Sequence, residues 1–415
     1  MGTTTLQDAV AKAAHRLAET GITGFIDKGG HQWTPEAYVS MDLRTTLHNT
    51  YIQGQQARSA EFGISTFQIS SHPASRPLCA PYQGWICSWD NTSGVVHDLY
   101  GNAYVVHPIR ETSYGEPAGI FGINCGHEPE TFIDGESVPR YTPLTSAELE
   151  QDNEAYLLTQ KQRALERQVR KYRTEAVALH AAGQPIPGNL AEKIKGAQVS
   201  YKNFCKENGL EQRLARTTVS CYNKSVATAT NKAFNKAAKS FYDAAAAREP
   251  AITATVKRIA DDLQLDMPGL EYRLKSLDRF MEKANIEGGF SHIKDVVRYT
   301  YSADGDRLVG DAEEALASFK ASGYRVSRIN NYWLQTRNPY RGINTNLTDP
   351  TGQVFELQLH TPESLAVKEE MHKLYEKARV IDRTSREYLE LQDQMADIAD
   401  KLSPPFEIEK IGVAP

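Results

Sequence analysis

GQVFELQLHTPESLAVKEEMHKLY (Gly352–Tyr375) decides how the second half of this 415-residue chain is read. Val354–His360 alternates with a period of two, so Phe355, Leu357 and Leu359 share one face of a strand and Glu356, Gln358 and His360 share the other. Such a strand buries one face against helices and lines something polar with the other. A Glu, a Gln and a His in a row suit a metal–phosphate site, and the plainer reading is a half-exposed edge strand.

The segments upstream bear on that choice. EYRLKSLDRFMEK (Glu271–Lys283) reads as a helix with Leu274, Leu277 and Met281 as its apolar positions. Its cations Arg273, Lys275, Arg279 and Lys283 are spaced to hold polyphosphate, Arg forking onto oxygens and Lys acting as a point charge. HIKDVVRYTYS (His292–Ser302) reads as a β-branched and aromatic strand entered through Asp295. RNPYRGINTNL (Arg337–Leu347) opens on the turn signal Asn338-Pro339 and then presents Tyr340, Arg341 and Gly342.

Basic helix, acidic strand, aromatic loop and Glu strand in this order resemble the synthetase domain of the RelA/SpoT family, over about Ile252–Leu402. The residues that carry the resemblance are Arg273-Leu274-Lys275-Ser276, Asp295 with Arg298, Tyr340-Arg341-Gly342-Ile343-Asn344-Thr345 and Glu356-Leu357-Gln358-Leu359-His360-Thr361. Met371-His372-Lys373-Leu374-Tyr375 echoes the family's following helix. The resemblance implies a nucleotidyltransferase-like mixed β-sheet flanked by helices, and transfer of pyrophosphate from ATP to the 3′-hydroxyl of a purine nucleotide. It makes Asp295 and Glu356 the catalytic carboxylates and the Mg²⁺ ligands, with Glu356 alternatively the base that takes the hydroxyl proton. Arg273, Lys275, Ser276, Arg279, Lys283 and Arg298 would hold ATP. Arg337, Tyr340, Arg341, Asn344, Gln358 and His360 would hold the acceptor, Tyr340 by stacking on its base. Such chemistry is mostly positioning and charge neutralisation, which is why it draws on cations, one or two carboxylates and a divalent ion.

This chain departs from the family at Pro339, where Gly is usual before the tyrosine, and at Gly342, where Ser is usual. Arg298 also stands closer to Asp295 than in the common pattern. The acceptor therefore stays open between guanine nucleotides, adenine nucleotides and a tRNA 3′ end. From Ala251 to Pro415 there are about 22 Lys and Arg against about 27 Asp and Glu, and a mildly acidic surface favours a free nucleotide over RNA.

Length predicts two or three domains, and the net charge of −5 marks no strong partner preference. No apolar run approaches the ~20 residues of a membrane span, the N-terminus lacks an apolar signal core, and the five cysteines suggest no disulfide framework. The chain reads as cytosolic. Its first helix is amphipathic through Leu6, Val10, Ala13 and Leu17. Gly21–Pro143 is rich in turn residues and short apolar runs, as in a compact α+β domain. Thr145–Glu148 is a capping box; Leu158, Leu165, Val169, Tyr172, Ala176 and Leu179 follow at helical spacing. A second helix runs through Leu190, Ile194, Ala197, Tyr201 and Phe204. Val226–Glu249 reads as a helical spacer.

The first half resembles tailed-phage minor capsid protein 2 and the related Mu F head-morphogenesis proteins. Ser71-His72, Arg76-Pro77, Gln83-Gly84-Trp85, Tyr114-Gly115, Gly122-Ile123-Asn124-Cys125-Gly126-His127 and Gln162–Arg167 carry the match, from the first helix to about Tyr222. Head proteins of this kind are fused to C-terminal toxin domains, so the whole resembles a prophage-encoded toxin. That implies phage head or portal proteins and an immunity protein as partners, and association with the virion.

The expected division is a capsid-like module over 1–222, a spacer over 223–250, the synthetase domain over 251–402 and a tail over 403–415, an α+β architecture throughout. His72, Cys79, Cys125 and His127 are candidate ligands of a Zn²⁺ ion, with a buried polar network as the alternative. His97-Asp98 is similar to the metal-binding pair of the synthetase family's hydrolase domain, but without further ligands nearby it predicts no hydrolase. Two other functions compete with nucleotide pyrophosphorylation: modification of a tRNA 3′ end, and a structural capsid role with an inactive synthetase-like domain.

Overall fold

The structure, a computed structural model, describes residues 5–20, 24–26, 28, 30, 32–219, 221–335, 338–378, 381 and 385–412. It is an α+β protein that divides into two compact units, Met1–Ala164 and Leu165–Pro415.

In the first unit α1 (Leu6–Glu19) packs on α2 (Pro35–Glu61), and β1 (Phe25–Ile26) pairs with β2 (Gln32–Trp33). Five further strands, β3 (Thr66–Ile69), β4 (Ile86–Ser88), β5 (Gly94–His97), β6 (Ala103–Pro108) and β7 (Pro129–Thr131), form one sheet in the order β5-β6-β4-β3-β7. Only the β4–β6 pair is parallel. Phe67, Ile69, Ile120 and Phe121 form the centre of its core, with Trp89 stacked on Phe67 at 4.1 Å. The capping box opens α3 (Ser146–Ala181): the Thr145 and Glu148 side chains each accept the other's backbone N–H, at 3.3 and 2.8 Å. Asp98 is buried in a turn, where it accepts from the N–H groups of Tyr100 and Asn102 and from the Asn102 amide, so it shapes that turn.

The second unit is built on a four-stranded sheet of β8 (Arg298–Ser302), β9 (Arg325–Asn331), β10 (Ile343–Thr348) and β11 (Val354–His360). The order is β8-β11-β10-β9, with β8 and β11 parallel and the other pairs antiparallel. The alternation expected of Val354–His360 is present. Phe355, Leu357 and Leu359 are fully buried in the main core with Val256 and Ile259 of α5 (Lys224–Leu263) and Phe319 of α7 (Leu308–Ala321). The opposite face carries Glu356, Gln358 and His360, beside α6 (Leu277–Glu287) and α8 (Pro362–Ala378).

Three expectations change. Glu271–Lys283 is not one helix: Leu270–Tyr272 is a 3-10 turn, and α6 starts only after Ser276, whose hydroxyl caps it. Between them the chain leaves the helix, with Leu274 bridged to Val297, the Lys275 N–H donating to Val296 O at 2.9 Å and the Arg298 N–H to Arg273 O at 2.7 Å. Backbone groups committed to that bridge cannot also make helix bonds. Val226–Glu249 is no spacer, because it is the first part of α5, with Phe234, Ala238 and Ala245 wholly buried in the same core as the sheet. Nor is the end of the chain a loose tail. Ile408 and Ile411 are buried, and their carbonyls accept from the Asn331 amide at 2.8 and 3.0 Å.

Candidate active site

Arg273, Leu274 and Lys275 all line a cavity of about 1720 Å³ within the second unit, and Leu274 packs against the core as well. Asp295, in the loop before β8, also lines it. The Asp295 carboxylate is gripped on both oxygens, by Lys275 Nζ at 2.9 Å and Lys283 Nζ at 2.9 Å. Burial pushes this carboxyl's pKa up, but the two ammonium groups outweigh it and hold the group below the usual carboxylate range. The Lys283 ammonium is held above its ordinary value: burial works against it, and the bond to Asp295 prevails.

Glu356 lies across the parallel register from Arg298. One of its carboxylate oxygens accepts from the Gln358 amide and, at 3.5 Å, from Asn344, and both amides line the cavity. Burial raises its pKa, and the neighbouring charge of Asp295 adds to the rise. The two carboxylates thus sit in one field with opposite shifts, the pattern expected where one stays ionised and the other handles a proton. Arg279 and Arg298 also line the cavity, and their guanidinium groups make no hydrogen bond or ion pair among the described residues. Arg273 is instead paired with Glu249 of α5, and Ser276 is the α6 cap.

The residues expected to hold an acceptor do not all come together. Tyr340, Asn344 and Gln358 line the cavity. The Tyr340 hydroxyl contacts Asn344 Oδ1 at 2.8 Å and His360 Nε2 at 2.7 Å. His360 does not reach the cavity. It is wholly buried, with Nδ1 at 2.9 Å from Ser364 Oγ, and burial drives its pKa down to about 3, so it is a neutral support for Tyr340. Its ring fills the space over Gly342, where a Cβ would stand 2.5 Å from His360 Cε1. Arg341 turns away as well, pairing with Asp400 at 3.3 Å and donating to backbone carbonyls. Arg337 lies outside the described residues.

Sequence reasoning missed Lys368. Its Nζ donates to Gln358 Oε1 at 2.7 Å and lies 6.0 Å from the centre of the Tyr340 ring. Burial and the nearby Arg298 charge lower its pKa to about 8. The signal was available, because Lys368, Met371, His372, Tyr375 and Glu376 recur at helical spacing and all line the cavity.

In the first unit, Cys79, Cys125 and His127 are buried together, their sulfur and nitrogen atoms within 4.8 Å of one another, and the His72 ring stacks on His127 at 4.2 Å.

The profile of the phage minor capsid protein 2 family matches residues 1–207. A structural protein of Lactococcus phage mv4 is 34% identical over 101 residues, which are 24% of this chain and 80% of that protein. A structural protein of Lactococcus phage LL-H is 32% identical over 212 residues, covering 50% of this chain; the chain spans about half of that protein's length, 54%. The chain belongs to the phage minor capsid protein 2 family. Beyond that family, it is similar in structure to small alarmone synthetase 2 from Bacillus subtilis, at 16% identity over 39% of this chain and 90% of that one, with a TM-score of 0.31. A structure of the complex between the Type VI effector Tas1 and its immunity protein matches at 23% identity over 40% of this chain and 98% of that one, with a TM-score of 0.32. Scores this low carry no argument about activity. No helix among the described residues is long and apolar enough to cross a membrane.

Proposed function

We propose that the second unit is a pyrophosphotransferase that moves the β,γ-diphosphate of ATP to the 3′-hydroxyl of a free purine nucleotide, and that the chain is a toxin-like enzyme borne on a capsid module. The observation that carries this reading is the cavity wall on which Asp295 is clamped by Lys275 and Lys283 while Arg279 and Arg298 have no ion-pair partner among the described residues. Two such guanidinium groups beside a lysine-clamped carboxylate suit polyphosphate.

In this reading Arg279, Arg298, Lys275 and Lys283 bind the phosphates, and the Tyr340 ring packs against the acceptor base. Glu356 is the base. It takes the 3′-hydroxyl proton as the O3′–Pβ bond forms and the bond from Pβ to the α,β-bridging oxygen breaks, with AMP leaving on the electron pair. The donor set fits Mg²⁺, since Asp295 and Glu356 both offer hard carboxylate oxygens, near enough that the Asp295 charge helps raise the Glu356 pKa. Bound there, the ion would neutralise phosphate oxygens.

The mild acidity of the region favours a mononucleotide over tRNA. Growth arrest of the producing or receiving cell, an immunity partner and attachment to phage heads follow from the same proposal. The test incubates full-length protein with γ-labelled ATP and, separately, guanine nucleotides, adenine nucleotides and tRNA. Label on a free nucleotide supports the reading. Label on tRNA alone, falling steeply with salt, would replace the acceptor. A folded protein that binds ATP and labels none of them would leave a structural capsid role.

A further inference from the structure

We propose that the first unit holds a zinc ion on Cys79, Cys125, His127 and His72, a closed site that ties the loop leaving β3 to the loop entering β7. Cys79 Sγ, Cys125 Sγ and a His127 ring nitrogen already lie within 4.8 Å of one another, with Cys125 Sγ 3.3 Å from His127 Nδ1. Tetrahedral coordination at the usual Zn–S and Zn–N lengths puts ligand atoms about 3.4–3.8 Å apart. The trio needs only a small contraction.

The fourth ligand is identified by hydrogen bonding. His72 Nδ1 faces Pro73 O at 3.2 Å and Ser75 Oγ at 3.3 Å, an arrangement that places the ring proton on Nδ1 and the lone pair on Nε2. Nε2 is buried with no hydrogen-bond partner among the described residues. It points at Gly126, between Cys125 and His127, where a Cβ would stand 3.3 Å from it. A buried ring nitrogen left unsatisfied is destabilising, and ligation removes that cost. His127 is prepared in the same way. Its Nε2 lies 3.3 Å from Ser75 Oγ, and Ser75 donates to His72 O at 2.8 Å, so Nε2 carries the proton and Nδ1 offers its lone pair towards the sulfurs. One serine thus orients both imidazoles, the outer-shell support that ligating histidines usually have.

Two thiolates and two imidazoles with no acidic ligand select zinc over magnesium or calcium, and burial of the trio marks a structural site. Binding joins both sulfurs to the metal and releases their two protons to solvent. The site lies wholly in the first unit and does not depend on the pyrophosphotransferase reading.

The test uses the full-length protein. Elemental analysis after dialysis is expected to find one zinc per chain, and Cys79→Ser, Cys125→Ser and His72→Ala should each lose it. Because such variants can misfold, the deciding measurement is made on the wild-type chain, by alkylation and mass mapping with and without chelator. Exposed Cys221 should react in both samples. Cys79 and Cys125 should react only after the metal is stripped and be protected again by added Zn²⁺. Reactivity indifferent to zinc, a chain that takes up none, or a Cys79–Cys125 disulfide would each overturn the proposal.

Discussion

The pKa of Lys368, lowered to about 8, lies inside the range where enzymes are assayed. Below that value the ammonium is present beside Gln358 and Tyr340; above it the amine is neutral and one phosphate-attracting charge is lost. Glu356 is perturbed in the other direction, upwards, and acts as a base only above its own raised pKa. The pH profile of kcat/KM should therefore be bell-shaped, with the acid limb set by Glu356 and the alkaline limb near 8 set by Lys368. Lys368→Arg keeps the charge at all these pH values and should move the alkaline limb upwards; a limb unmoved in that variant would remove Lys368 from the profile. Glu356→Gln and Asp295→Asn preserve shape and remove charge. Glu356→Gln should lower turnover by roughly 10²–10⁴-fold, the usual scale for a proton-transfer group, and Asp295→Asn should lower it by removing a proposed metal-binding carboxylate, both with an unchanged circular dichroism spectrum. Near wild-type turnover in folded Glu356→Gln would defeat the assignment.

At the scale of elements, the β11 strand was legible in the sequence to the residue, because a period of two with a fully apolar face admits few other readings. The Glu271–Lys283 segment was not. Its leucines fit a helix, and what stopped the helix was a backbone bridge to Val297, which no local pattern reveals. The acceptor loop shows the same limit. Gly342 and His360 were each visible as residues, yet their contact arises only when β10 and β11 pair, Ile343 opposite Leu359. That contact explains why glycine stands where the related pattern has serine. Gly342→Ser should drive a side chain into the buried His360 ring and cost about 1–3 kcal/mol by overpacking, lowering the melting temperature by roughly 2–4 °C per kcal/mol. Adding His360→Ala should recover part of the loss. Equal melting temperatures for Gly342→Ser and the wild type would show that the ring can move aside.

Across the whole molecule, two boundaries fail to coincide. The capsid-family match ends at residue 207, while the compact units divide between Ala164 and Leu165. The sequence-based boundary at 222 followed the extent of the capsid-like resemblance and the one at 250 a change in composition, and neither records which core a helix enters. Ala176 of α3, and Leu190 and Ile194 of α4 (Gly188–Glu207), belong to the same buried cluster as α5 and the sheet. A fragment beginning near Thr253 would discard Phe234, Ala238 and Ala245 and should be insoluble or unfolded, whereas one beginning at Leu165 should melt cooperatively; a cooperative transition in the shorter fragment would contradict this account. The same misalignment bears on inheritance. Recombination that swapped C-terminal cargo at the end of the capsid-like sequence would leave the newcomer resting on inherited α3 and α4 residues selected for a different guest. A C-terminal domain exchanged at that seam must therefore either already fit those two helices or bring replacements with it, so the helices act as a filter on what can be joined there.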